Sequence, residues 1–364
     1  MIRSERIRYK ILRNGAEYAE IFPGDSAPTL RMSSGGEIKM SMEGSFLGGA
    51  IDTQGREAEI DWMTDEIKPV LEINGVPKPL SVLMPAKVTP KENRGVTTLE
   101  IQAFDRCWRV RDTKVEGSIN LPAGTPYLDA VEQLLASAGI GTIIKTPSTA
   151  TLTEDREDWQ TGTSYLSIIN DLLGEINYKQ LWFNSEGSAM LEPASVPNAA
   201  HIQHILTDQV PDPRNSREAG LIRVYPTFSK ETDVYNAPNV FICVCSNADK
   251  SGDMKATAVN ENPQSPLSVP RRNNRRIVQS VYVNNIASQA ELQAYADRML
   301  NDSMMTGETI QVETLLLQGF GVEDVTALQY GDELSICRET GWTMQLTPGG
   351  KMNHTLEKVV LNLG

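Results

Sequence analysis

The chain has 364 residues, 40% of them hydrophobic and 22% charged. That is ample material for packed cores, and it excludes a chain kept disordered by low hydrophobicity. With 34 basic against 47 acidic residues the net charge is −13, so general attraction to the DNA backbone is disfavoured.

At about 100–200 residues per domain, two to four domains are expected. The N-terminal ten residues carry positive charges with no apolar stretch behind them, so they do not read as a signal peptide. No segment approaches the roughly 18 apolar residues of a membrane span. Synthesis and assembly in the bacterial cytoplasm are the expectation.

Residues 1–112 read as short strands. Ile7, Tyr9 and Ile11 alternate with Arg8 and Lys10 up to Asn14-Gly15, the strongest short hairpin signal. Residues 37–43 alternate again. With Ile38, Met40 and Met42 facing the core, Glu37, Lys39, Ser41 and Glu43 are left for a lumen or a neighbouring subunit. Val70, Leu71 and Ile73 lead to Asn74-Gly75, with residues 80–84 as the expected return strand, and residues 98–104 close the run. Many short strands broken by turn residues point to a barrel or a sandwich.

The pattern changes near Asp112. Thr125 as N-cap and Pro126 at the first helical position start a helix along Tyr127, Val131, Leu134 and Ala138. A second helix starts near Thr163 or Ser164, with Tyr165, Ile168, Ile169, Leu172, Leu173 and Ile176 on one face. A hairpin around Trp182 follows. Residues 113–198 are therefore expected to form a small α+β domain.

Residues 199–302 return to β character. The 239–245 stretch is the clearest buried strand, and a loop rich in proline and serine ends in the basic run Arg271, Arg272, Arg275 and Arg276. Ser288 and Glu291 form a capping box in front of a helix carrying Leu292, Tyr295, Ala296, Met299 and Leu300. Residues 303–364 read as a C-terminal β domain with strands at 310–317, 334–337, 342–346 and 356–361.

Chemistry is sparse. There are three histidines and four cysteines, and no Gly-x-Ser-x-Gly elbow, Walker loop or Gly-x-Gly-x-x-Gly. Gly44 to Gly49 is glycine-rich without the Lys-Ser/Thr of a phosphate loop. His201 and His204 with Cys243 and Cys245 offer zinc-type donors at unsuitable spacing. Two loop histidines and two core thiols are the preferred reading, the cysteines being about 7 Å apart on one strand face. Glu154, Asp155, Glu157 and Asp158, beside Trp159, lack the pattern of a calcium loop and read as a solvated loop. The arginine run fits a protein partner better than DNA in so acidic a chain, with a solvated loop as the alternative. No catalytic residue, metal or cofactor is assigned, and the chain is expected not to be an enzyme.

The proline-rich segment 261–270, the basic strand start, the capped helix from Ser288, the Tyr330-Gly331-Asp332 turn and Pro348-Gly349-Gly350 before a final strand occur in an order that resembles the tail-tip hub proteins of long-tailed phages, contractile phage-like bacteriocins and type VI spikes. The XkdQ/YqbQ type of defective prophages is nearest. The second helix and the Trp182 hairpin fit the small middle domain of that family. The resemblance implies a mainly β chain with an α+β insertion. It implies two tail-tube-like β-barrel domains, at about 1–112 and 199–302, and no catalytic residues. It also implies a homotrimeric baseplate hub that adapts a sixfold tail tube to a threefold spike, with tube and spike proteins as partners and DNA passing through an acidic lumen unbound. A carbohydrate-binding or adhesin module using Trp159 or Trp182, and a cell-wall hydrolase, are the competing readings.

Overall fold

The computed structural model describes residues 3–156, 159–195, 197–210, 220–231, 237–245, 254–283, 286, 288–305 and 308–359. Nine strands come first: β1 (Glu5–Arg13), β2 (Ala16–Pro23), β3 (Thr29–Ser33), β4 (Met40–Asp52), β5 (Glu57–Ala58), β6 (Glu66–Ile73), β7 (Val76–Pro79), β8 (Met84–Asn93) and β9 (Val96–Phe104). Three of their hairpins have two-residue turns with both residues at positive φ: Asn14-Gly15, Asn74-Gly75 and Arg94-Gly95. This turn geometry matches the twist of the flanking strands and sets their register. The third turn carries arginine where asparagine usually stands.

The pairing path β6-β1-β2-β4-β9-β8 curls back on itself. Leu83, just before β8, exchanges two backbone hydrogen bonds with Ile67 of β6, at 2.7 and 2.8 Å. The interior holds Tyr9, Ile11, Ile21, Met42, Phe46, Leu71 and Ile101, and Tyr9 meets Phe46 edge-to-face at 5.0 Å. Each such fully buried side chain contributes roughly 1.5–3 kcal/mol. The Asn74-Gly75 turn returns at once into β7 and not into 80–84 as expected. Pro77 and Pro79 mask this strand in the sequence, but β7 lies at the end of the path, where prolines lacking an N–H are tolerated.

An α+β unit follows, made of α1 (Cys107–Asp112), α2 (Tyr127–Ser137), β10 (Ile143–Lys145), α3 (Tyr165–Glu175), β11 (Trp182–Phe183) and β12 (Ala189–Leu191). Its strands pair in the order β10-β12-β11. Leu128, Val131, Leu135, Ile169, Leu172 and Leu173 form its core with Trp159. The Ser164 hydroxyl accepts from the Ser167 N–H and caps α3. At α2 the cap position is Pro126, and the Thr125 hydroxyl donates to the Pro122 carbonyl instead.

The remainder comprises β13 (Ile202–Thr207), β14 (Leu221–Arg223), β15 (Phe228–Glu231), β16 (Val240–Cys245), β17 (Met254–Val259), β18 (Val278–Val283), α4 (Gln289–Met305), β19 (Thr309–Leu315), β20 (Val325–Tyr330), β21 (Glu333–Gln345) and β22 (Lys351–Lys358). The expected extension of the last strand to residue 361 lies outside the described residues. Pairing cuts across the expected boundary at 302/303. β13 pairs with β20 and β15 with β19, so a second curled path runs β13-β20-β21-β22-β19-β15. It returns through the corner between β14 and β15, where Val224 donates to Thr207 and Tyr225 to Glu313. Strands β16, β17 and β18 form a separate small sheet covered by α4. The sequence reading merged the two because all of these strands are short and apolar.

The fold is mainly β with an α+β insertion, and each large block is a curled sheet of six strand positions. Among the described residues neither path closes as an uninterrupted barrel ladder. Strand β3 joins the two blocks by pairing with β4 on one side and β21 on the other. The first core continues across this seam through Trp342, Met344, Leu346 and Met352. Inside β4, a Cβ on Gly44 would stand 2.6 Å from Pro28, so that glycine serves the close approach of the β3 entry and not phosphate binding.

Candidate assembly surfaces, buried polar layer and cleft

The residues singled out from 37–43 separate in space. Strand β4 begins only at Met40, and the buried Asp105 carboxylate accepts the N–H groups of Lys39 and Met40 at 3.0 and 2.7 Å. Burial pushes the Asp105 carboxyl up to about 6. Met40 and Met42 face the core as expected, and Glu37 and Glu43 are exposed with Ser41 half-buried. Lys39 is not on the surface. Its side chain is only 3% exposed, and its ammonium donates to the carbonyls of Ser34 and Gly36 and to Oε1 of Gln180, at 2.6, 2.7 and 2.9 Å. It ties the first block to the α+β unit. Burial lowers its pKa. Arg106 serves the same junction by gripping Glu66 through two nitrogens and the Gly187 carbonyl through a third.

The basic run sits on a short turn before β18. Arg271, Arg275 and Arg276 are exposed, whereas Arg272 is half-buried with Nη1 donating to the Ala237 carbonyl. The zinc-type donors are not gathered. Cys243 and Cys245 pack beneath α4, while the His204 ring stacks on Phe320 at 3.7 Å and reaches Asp324 at 3.2 Å. Among the described residues no group of three or more potential ligands is found. Trp159 is 8% exposed beneath Arg156, and Trp182 is half-buried, so neither offers an open sugar-stacking face. The acidic loop is in part structural: Asp155 accepts from the Ala123 N–H, and Glu157 and Asp158 lie outside the described residues.

One constellation escaped the sequence reading. In the second block Thr314, His354 and Glu339 are at most 1% exposed. His354 Nδ1 lies 2.6 Å from Glu339 Oε1, and Nε2 lies 2.9 Å from the Thr314 hydroxyl. The order hydroxyl, imidazole, carboxylate is that of a nucleophile with its base and orienting acid. Its burial argues against that role. The Thr314 hydroxyl also has the Leu315 carbonyl at 2.7 Å as a second acceptor, so its proton is not committed to the imidazole by geometry. None of the three lines either described cavity. The three residues come from strands β19, β22 and β21, at inward positions where the neighbours two residues away are apolar or small, such as Val312, Met352 and Cys337. A polar residue in an inward register was the available signal.

A concavity of about 1580 Å³ lies where the α+β unit, α4 with β18, and the β3–β21 seam meet. Beside it Glu175 accepts from the Tyr127 hydroxyl at 2.8 Å and from Arg156 at 2.7 Å. Burial pushes the Glu175 carboxyl up to about 7 despite the arginine. Arg338, on the opposite wall, pairs with Asp302 and Glu357 at 3.0 and 3.2 Å. With most charges already paired inside the protein, the cleft has the chemistry of a joint between units.

No protein-family model matches the chain, and no curated protein does. Solved structures do. A tail protein from Neisseria meningitidis MC58 superposes with a TM-score of 0.65 at 13% identity, covering 96% of both chains. The 43 kDa tail protein of prophage MuSo2 from Shewanella oneidensis gives 0.64 at 10% identity, over 97% of this chain and 98% of that one. The E. coli c3393 protein, described as a type VI secretion component similar to the T4 tail proteins gp27 and gp5, gives 0.53 at 7% identity, over 96% and 77%. From end to end, this chain has the fold of phage and prophage tail proteins.

Proposed function

We propose that the chain is the structural hub of a phage tail or phage-like particle, working as a homotrimer that adapts a sixfold tube to a threefold spike. The observation that carries this reading is the pair of curled six-strand blocks held side by side by β3. Three copies would offer six such blocks to a tube end and a threefold axis to a spike. The full-length likeness to tail proteins supports the same role and a place in the particle tail. On this reading tube and spike proteins are the partners, and the net charge of −13 keeps passing DNA from adhering.

The proposal includes the absence of enzyme activity: the one hydroxyl–imidazole–carboxylate arrangement described is sealed in a core. Native mass spectrometry with negative-stain imaging of the purified chain tests the reading. A trimer with a six-lobed outline and a central opening is expected. A strict monomer at all concentrations would overturn it, and clearing on a peptidoglycan zymogram would overturn the non-enzymatic part.

A further inference from the structure

We infer that one copy's acidic edge at residues 57–63 docks onto the next copy's arginine turn and β18 edge. The inference rests on the trimeric reading above and names its contact. Strand β18 ends the small sheet, in the order β17-β16-β18. Among the described residues its outer edge has no ladder. On the face of β18 turned away from α4, Val278 is 50% and Tyr282 79% exposed, and Tyr282 also lines the cleft described above. Open edges of this kind are normally covered or blocked by charge. Immediately before it stand Arg271, Arg275 and Arg276, exposed and without a carboxylate partner among the described residues. Elsewhere many basic side chains are paired, as in Arg8–Glu20, Arg13–Asp65, Arg106–Glu66 and Arg338–Glu357. Three guanidinium groups left together repel one another and call for an outside anion.

A second copy supplies that anion. Among the described residues, two acidic stretches carrying strongly exposed apolar side chains bear on the choice. At the first, Val210 and Leu334 lie near Asp208 and Glu333, but Asp208 accepts the Gly331 N–H and Glu333 pairs with Lys358. At the second, Met63 is 88% exposed, and Glu57, Glu59 and Asp61 beside it are exposed and have no ion pair among the described residues. Asp61 accepts from the Met63 N–H and the Thr64 hydroxyl, which fixes the loop. This segment includes β5, which pairs only with β4 and is itself an edge. An exposed methionine in a stretch carrying three exposed carboxylates thus complements an apolar strand preceded by three exposed arginines. The two surfaces differ, so the contact is head-to-tail, the kind that builds a ring in the trimer proposed above. Single-stranded nucleic acid also suits arginines beside an exposed tyrosine, but the chain's net charge of −13 opposes it.

The test uses the full chain. Arg271→Glu/Arg275→Glu/Arg276→Glu and Glu57→Lys/Glu59→Lys/Asp61→Lys are each expected to weaken the trimer about tenfold or more, as three lost exposed pairs imply. The six-fold swap is expected to recover most of the loss. Unchanged circular dichroism and melting confirm folding. A wild-type trimer unaffected by either triple variant, or a swap that does not recover it, overturns this contact and leaves the hub reading standing. A wild-type monomer overturns both. Single-stranded DNA binding lost in the arginine variant, with the trimer intact, overturns the contact in favour of nucleic acid.

Discussion

Replacing His354 by alanine removes the only hydrogen-bond partner that the Glu339 carboxylate has among the described residues. Oε1 loses its 2.6 Å contact with Nδ1, and Oε2 has none to begin with. The carboxylate is 0% exposed, so water cannot take over. Stranding one member of such a pair costs about 3–5 kcal/mol. Replacing both residues by leucine removes the charge and the need for it together, and should recover most of that loss. The assay is urea unfolding of the wild type, both single variants and the double variant, followed by near-ultraviolet circular dichroism. A coupling of at least about 2 kcal/mol is expected.

The pH dependence has a definite sign. Burial already raises the Glu339 pKa in the folded chain, and loss of the imidazole raises it further. A carboxyl whose folded pKa lies above its unfolded one binds its proton more tightly when folded. The His354→Ala deficit should therefore be smallest below about pH 4, under the ordinary glutamate value, and grow as the pH rises through the folded value. A loss under about 1 kcal/mol, or a deficit that shrinks with rising pH, would refute the coupling of Glu339 to His354.

Glu175, raised to about 7 by burial, should contribute stability below about pH 4.5 that is lost as the pH rises through 7. Thermal melts at pH 4.5 and 7.5 should show this slope in the wild type and a shallower one in Glu175→Gln, whatever the offset between them. Lys39→Met leaves the Ser34 and Gly36 carbonyls and the Gln180 side chain without their shared donor, and should lower the unfolding free energy by about 1–3 kcal/mol. Gly95, at φ +79° with open space around its Cα, should lose about 1 kcal/mol on change to alanine, from backbone strain alone, read as a lower denaturation midpoint at unchanged slope.

The sequence made local order plain and long-range order obscure. The α3 stripe, the Ser288 capping box and the two Asn-Gly turns are set by residues within a few positions of one another, and each formed where its pattern placed it, although the strand after Asn74-Gly75 is β7 and not 80–84. Ser288 Oγ accepts the Glu291 N–H at 3.2 Å. What decides the architecture is pairing between β13 and β20, or β3 and β21, whose residues stand more than 100 positions apart. Nothing in a strand of alternating residues names its partner, so 199–302 read as one block although β13–β15 belong to a sheet completed by 309–358 and the rest forms the small sheet under α4. Lys39 shows the same limit at the scale of a side chain. Alternation put it on an outer face, and only the distant Asp105 and Gln180 explain why it is inside. The Thr314–Glu339–His354 layer needed the three strands to be brought together before its polar inward positions acquired meaning.

Strand β3 has a mechanical consequence. It is five residues long, yet it carries four registered pairs to β4 and five to β21, all antiparallel. Hydrogen bonds in antiparallel ladders lie across the strand axis. A force that slides one block past the other along β3 loads the bonds of a ladder together, and the joint is stiff in shear. A force that pulls the blocks apart across β3 loads the outermost bond first and opens the ladder one pair at a time. The joint therefore transmits thrust along one direction and yields along another, and the strand direction decides which.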